Sequence, residues 1–213
     1  MNVHADPGDG LHIRPARPGD PTEVDRLYEI CLRTGAAGDD ATPFFSDHRL
    51  LGDVFLGAYL RLEPDLAWVL SGPAGPPVGY LVGTADTVAF EERLEREWWP
   101  AVRARVASAP FAEDSVDALV REMILTPRRA PAEVAAAYPA HLHIDLLPEG
   151  QGRGHGGRLV STLLDRLRDR GVGGVHLGVD RANVRAIGFY HHLGFEEVAS
   201  TPGELVLGLA LTG

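Results

Sequence analysis

Leu146-Leu147-Pro148-Glu149-Gly150-Gln151-Gly152-Arg153-Gly154-His155-Gly156-Gly157-Arg158 decides how this chain is read. An apolar strand runs into a glycine-rich loop, and the loop runs into a helix. That helix, over Gly156–Asp169, places Leu159, Val160, Leu163, Leu164 and Leu167 on one face. Glycines let a backbone approach a ligand closely. The first N–H groups of a helix have no internal partner, and together with the helix dipole they attract an anion. Arg153 and Arg158 add positive charge in a chain whose net charge is −10. The pattern points to a phosphate or diphosphate held on main-chain amides. A glycine-rich turn without a ligand is the plainer alternative.

Gly152, Gly154 and Gly157 also spell G-x-G-x-x-G, the dinucleotide fingerprint, and Asp180 falls at the end of the next strand, where a ribose-binding acid belongs. Two observations count against that reading. Pro148-Glu149-Gly150-Gln151 stands between strand and fingerprint, and only about 55 residues follow Arg158, too few for the further βα units required. A P-loop is excluded because it requires lysine, and all 20 basic residues are Arg. The arginine-only set reads as the base-composition bias of a bacterial genome. It also removes lysine chemistry.

Outward from the loop, His141–Leu147 and Val175–Val179 read as strands, and Asn183–Leu193 as a helix ended by Gly194. Phe195–Ser200 and Glu204–Leu211 form a closing strand pair around Thr-Pro-Gly. Toward the N-terminus, Leu11–Arg14 is a strand, and Asp20-Pro21 opens a helix that includes Cys31 as a core thiol. A second helix follows over about 47–62, then strands Leu66–Leu70 and Val78–Thr84. Residues 87–139 are different: charged helical pieces punctuated by prolines, with Trp98, Trp99 and a break at Pro100. They hold too few apolar residues for a core of their own and read as a helical insertion between the third and fourth strands. The expected architecture is one α/β (α+β) domain over 1–213. It has a mixed sheet of about seven strands flanked by helices, and a loose tail over 1–10.

Composition bounds the function. Hydrophobic residues make up 45% and charged residues 23% of 213, the ordinary globular mix. No apolar run approaches the ~18 residues of a membrane span. The N-terminus lacks the basic head and apolar stretch of a signal peptide, so a cytoplasmic location is expected. One cysteine permits no intrachain disulfide and fits no zinc spacing. The acidic balance argues against nucleic acid as a partner.

Gln151-Gly152-Arg153-Gly154-His155-Gly156 fits the motif Q/R-x-x-G-x-G/A. Asn183-Val-Arg-Ala186-Ile-Gly-Phe189-Tyr190-His-His-Leu-Gly194-Phe195 fits N-x-x-A-x-x-F-Y-x-x-x-G-F. With both motifs over 141–196, the chain resembles the GNAT superfamily of N-acetyltransferases. Tyr28…Cys31, Asp39-Asp40…Pro43-Phe44, His48–Asp53, Gly79–Thr84 and the Trp-Trp-Pro insertion resemble the C-terminal acetyltransferase-like domain of nucleocytoplasmic O-GlcNAc hydrolases. These 213 residues include no stretch read as a glycoside hydrolase domain, so sugar removal is not expected to carry over to them.

The resemblance implies acetyl-CoA as acyl donor and an amine as acceptor, with no metal. The strand before the loop would splay from its neighbour. Backbone groups of Ile144, Asp145 and Leu146 would bond the pantetheine arm in the gap. Amides from Gly152 to Gly157 would hold the diphosphate, with Gln151 and His155 in the same motif and Arg153 and Arg158 as helpers. Asn183, with Ala186 and Phe189 in its motif, would meet the cofactor arm while capping its helix. Tyr190 would protonate the leaving thiolate. Some relatives carry a Glu at the position of Gly178, and this chain departs from them there. Strand alternation puts His141, His143 and Asp145 on one face, unusual for a central strand. That face either lines the acceptor pocket, with Asp145 or His143 as base, or is a hydrogen-bonded polar pair under the insertion. No third ligand at metal spacing accompanies the histidines. His155, His191 and His192 read as loop and surface residues, and Asp39 and Asp40 either as binders of a cationic amine or as a solvated acidic loop. The competing function is an acetyl-CoA-binding module without turnover. Protein amines, aminosugars, polyamines and small antibiotics all stay open as acceptors, as does a homodimer.

Overall fold

One sheet of seven strands organises the computed structural model, which describes residues 8–211. Of the tail expected over 1–10, only residues 8–10 are among those described. The strands are β1 (His12–Pro15), β2 (Ala67–Ser71), β3 (Pro77–Thr84), β4 (Ala140–Leu146), β5 (Gly174–Asp180), β6 (Glu196–Ser200) and β7 (Glu204–Ala210). Their order is β1-β2-β3-β4-β5-β7-β6. Every neighbouring pair is antiparallel except β4/β5. The expected mixed sheet with helices on its faces is what the chain forms.

Period-two alternation sorts the side chains into two cores. On β3, Tyr80 and Val82 enter one core while Leu81 enters the other. The first core packs under α1 (Pro21–Arg33), α2 (Leu50–Phe55) and α3 (Gly57–Leu62). The segment between β3 and β4 contributes α4 (Thr87–Arg93), α5 (Trp99–Ala107) and α6 (Val116–Leu125) to the same core through Phe90, Trp99, Val102, Val106 and Ile124. Helix α7 (Ala132–Ala137) ends that segment beside β5. The second core lies under α8 (His155–Asp169), whose Leu159, Leu163 and Leu167 pack with Leu142, Leu177 and Phe195, and under α9 (Val184–His192).

The helix expected over about 47–62 is two short helices. Trp98 Nε1 donates to the Asp53 carbonyl at 2.9 Å, the acceptor that the Gly57 amide would need to continue α2. Gly57 itself lies so close to the Tyr28 hydroxyl and the Trp98 ring that a Cβ would stand 2.1 and 2.6 Å from them. The expected break near Pro100 takes the form of a π-helical turn over Leu94–Trp98, after which α5 restarts with Pro100 in its first turn. No helix of the described residues is long and apolar enough to cross a membrane.

The functionally important irregularity lies between β4 and β5. Their parallel pairing consists of Ala140 opposite Val175 and His141 opposite His176. Beyond that point the strands diverge, while β4 stays paired to β3 as far as Leu146. The opening is lined by Asn183, Ala186 and Tyr190 at the start and end of α9. A strand edge freed inside a sheet leaves main-chain groups in need of partners.

Candidate active site

The glycine-rich loop is shaped by backbone conformations that a side chain would oppose. Gly152 and Gly154 have φ of +76° and +78°, and a Cβ at either would project into open space. Gly154 occupies the N-cap of α8, and no side chain caps that helix. Its first-turn amides therefore face an open groove of about 800 Å³, bordered by Gly152, Gly154, Gly156, Gly157 and Arg158. Arg158 Nε is buried and has no hydrogen-bond partner among the described residues. An orphaned guanidinium N–H beside uncapped amides is the arrangement that an anionic group completes. Gly156 lets α9 approach: a Cβ there would lie 3.1 Å from the Phe189 ring.

Gln151 braces the loop. Its Nε2 donates to the Leu146 carbonyl at 2.6 Å, and its Oε1 accepts from Arg185 at 2.8 Å. The other residues expected at the cofactor are distributed unequally. Ile144, Asp145, Leu146, Asn183, Ala186, Phe189 and Tyr190 line the groove; Arg153 and His155 do not. His155, expected on the loop surface, is 1% exposed. Arginine only donates, so Arg158 donates to His155 Nδ1 (2.5 Å), and His155 Nε2–H donates to Asp9 at 2.7 Å. That bond holds the Asp9 carboxyl down at about 2. Arg153 reaches the same carboxylate at 3.4 Å. Both side chains thus fasten the N-terminal segment to the loop.

Where β4 and β5 diverge, the groove meets a second cavity of about 230 Å³. Thr34, Gly38, Ile144, Asp145, Asn183, Ala186 and Tyr190 border both spaces. Asn183 caps α9, its Oδ1 accepting from the Ala186 amide at 3.0 Å. Tyr190 is 7% exposed, and its hydroxyl has no hydrogen-bond partner among the described residues. Burial first, and the Asp145 charge second, push that phenol up, so it keeps its proton. Asp145 accepts a hydrogen bond from Tyr80, its direct partner across β3/β4. Burial raises its carboxyl, and the Tyr80 and Thr34 hydroxyls pull it back in part. Cys31 borders the second cavity from the core; burial raises its thiol and keeps it protonated. Asp40 is spent locally, accepting from the Thr42 amide at 2.8 Å.

The polar face of β4 is one wired unit. The Pro139 carbonyl can only accept, so Thr87 donates its hydroxyl there at 2.8 Å and accepts from His141 Nδ1–H at 2.7 Å. His141 Nε2 then accepts from the Tyr59 hydroxyl at 2.6 Å, and the Tyr59 oxygen accepts from His143 Nε2–H at 3.1 Å. The chain of bonds fixes both tautomers and leaves His143 Nδ1 as the free lone pair. Burial, and then the neighbouring His176, lower His143 to about 4, so it is neutral at physiological pH. His143 also borders the second cavity. This face is therefore a hydrogen-bonded polar cluster under α3 and α4, with one end at the second cavity. Tyr59, Thr87 and Tyr80 carry no chemistry legible in the sequence; the packing of α3 and α4 brings the first two to β4, and the β3/β4 register brings Tyr80. Among the described residues no group of three His, Cys, Asp or Glu is placed to hold a metal ion.

The model of the Acetyltransferase (GNAT) family matches residues 88–195, about half of the chain. The chain belongs to this family. The GNAT fold is shared with a crystal structure described as SsHAT, at TM-score 0.82 and 39% identity over 96% of this chain and all of that one. Protein O-GlcNAcase of Rattus norvegicus is 26% identical over 194 residues. That alignment spans 90% of this GNAT chain but about a fifth (20%) of the relative's length. A Salmonella typhimurium structure, described as a putative acetyltransferase with its cofactor acetyl-CoA, shares the fold at TM-score 0.53 and 18% identity, covering 96% of this chain and 95% of that one.

Proposed function

We propose that this GNAT chain transfers the acetyl group of acetyl-CoA to an amine. The observation that carries the reading is continuity. An uncapped helix start with an orphaned arginine N–H leads, along a single groove, to a strand opening with a protonated tyrosine at its end. The GNAT membership and the acetyl-CoA named for the Salmonella structure support the choice of donor.

In this reading the amides at the start of α8 and Arg158 hold the diphosphate. Backbone groups of Ile144 and Asp145 hold the pantetheine arm across the opening, beside a Leu146 carbonyl already engaged by Gln151. Arg153 and His155 act indirectly, by anchoring the loop through Asp9. When bound, acetyl-CoA supplies an activated carbonyl on a thiolate leaving group. Tyr190 donates its phenolic proton to that sulfur as the C–S bond breaks. His143 Nδ1 and the Asp145 carboxylate, at the cavity beside it, accept hydrogen bonds from the acceptor nitrogen and orient it.

Calorimetric titration with acetyl-CoA, followed by a thiol-release assay over a panel of amines, tests the reading. Binding together with amine-dependent thiol release is expected. Absence of binding overturns it. Binding without release from any amine favours a cofactor-sensing module instead.

A further inference from the structure

Strand register brings one more carboxylate, exposed to solvent, beside Gly178 on the wall of the second cavity. Asp180 and Glu204 are direct partners across β5/β7, so their side chains leave the sheet on the same face. Alternation places Gly178 and His176 on that face too, and His176 is the partner of His141 across β4/β5. It is therefore the face of His143 and Asp145. Gly178 borders the cavity, and a Cβ built on it would lie 2.1 Å from Glu204 Oε1 and 2.9 Å from the Glu204 carboxyl carbon. The Glu204 carboxylate fills the volume that a side chain at 178 would occupy. Where some relatives carry a glutamate on β5, this chain brings one across from β7.

Two further observations bear on what this carboxylate does. Its backbone is fixed by the Glu204 amide donating to Thr201 Oγ1 at 3.1 Å, yet the carboxylate itself has no hydrogen-bond or ion-pair partner among the described residues. Partial burial raises its carboxyl, the Arg128 guanidinium of the insertion lowers it, and Asp180 raises it again, for a net rise. Asp180 is itself engaged by the Ala182 amide at 2.8 Å. Glu204 is thus the carboxylate of this wall that is left to receive a cation.

We propose that Glu204 receives the ammonium group of a cationic amine acceptor and takes its proton. The inference rests on the acetyl-transfer reading above. The proton balance is complete. Glu204 takes one proton from R–NH3+, and the free amine attacks the thioester carbon, forming the C–N bond. The C–S bond breaks, Tyr190 gives its proton to the thiolate, and the second amine proton returns to the Tyr190 oxygen. Glu204 then releases its proton to water. Glycine at 178 is the condition for this arrangement, because any side chain there displaces the carboxylate.

The test compares wild type, Glu204→Gln and Gly178→Ala in thiol release with spermidine, glucosamine and a peptide bearing a free N-terminus, from pH 5 to 9. Acetyl-CoA affinity, measured alongside, reports folding and the donor site. Glu204→Gln is expected to keep that affinity and to lose about 100-fold in kcat/KM for the accepted amine, together with the acidic limb of the pH profile. Gly178→Ala, which keeps the carboxylate but pushes it aside, is expected to lose at least tenfold. An acidic limb and kcat/KM unchanged in Glu204→Gln overturn the proposal alone. Wild-type protein that binds no acetyl-CoA, or acetylates no amine, overturns the acetyl-transfer reading and this proposal with it.

Discussion

Replacing Tyr59 by Phe removes a single oxygen from the centre of the bonded chain on β4. The ring is 5% exposed and stacks on Phe90 at 4.6 Å, so the phenylalanine keeps its packing. What is lost is the partner of two imidazoles: His141 Nε2, which accepts from the hydroxyl, and His143 Nε2–H, which donates to it. A buried polar group left without a partner costs about 1–3 kcal/mol. His143 borders a cavity that admits water, so its share belongs at the low end. The expected destabilisation is about 2–4 kcal/mol, a large part of the ~5–15 kcal/mol that holds a typical domain. Urea unfolding followed by tryptophan fluorescence reads it directly. With an m value near ~3 kcal/mol/M, the midpoint falls by about 1 M and the slope is unchanged. An unchanged midpoint would refute the assignment of one hydroxyl to both histidines, and with it the tautomers derived for His141 and His143.

Tyr190→Phe is expected to lower kcat for thiol release by about 10²–10⁴-fold while acetyl-CoA affinity changes less than about twofold; equal turnover by the variant removes Tyr190 as the acid. Gly154→Ala forces an L residue to φ +78° at about 1–2 kcal/mol and puts a methyl group into the loop's open space. Acetyl-CoA affinity should fall at least about tenfold, and retained affinity would show that the anion sits elsewhere. Acid should weaken the fold well before carboxylates protonate. His143 titrates near 4 when folded and near ~6.5 when unfolded, so the unfolded chain takes up the proton first. The stabilisation is whole above pH ~6.5 and declines as pH falls toward 4, by roughly 3 kcal/mol in total. His141 and His176 are lowered by burial as well and add to the decline. Unfolding free energy that stays flat between pH 7 and 4.5 would contradict a neutral buried cluster.

Much of the donor side is legible along the chain because its determinants are local. Gly152 and Gly154 make the loop through their own φ angles, and Asn183 caps the helix that starts one residue later. The apolar stripe of α8 seats that helix on the sheet without reference to distant residues. The errors share one cause. His155 looks like a loop residue until Asp9, 146 positions away, arrives beside it. The helix over 47–62 looks continuous until Trp98 takes the Asp53 carbonyl.

By itself, the sequence determined the run of strands and helices along the chain and the glycine-rich turn between β4 and α8, which follow from periodicity and glycine conformation within one or two elements; the role expected of Tyr190 on α9 came instead from its motif's resemblance to the family. Tertiary structure alone decided which side chains face the second cavity. His143, Asp145 and Gly178 border it, and they are backed by Tyr59 of α3, Tyr80 of β3 and Glu204 of β7, which helix packing and strand register, encoded by no local pattern, bring beside them.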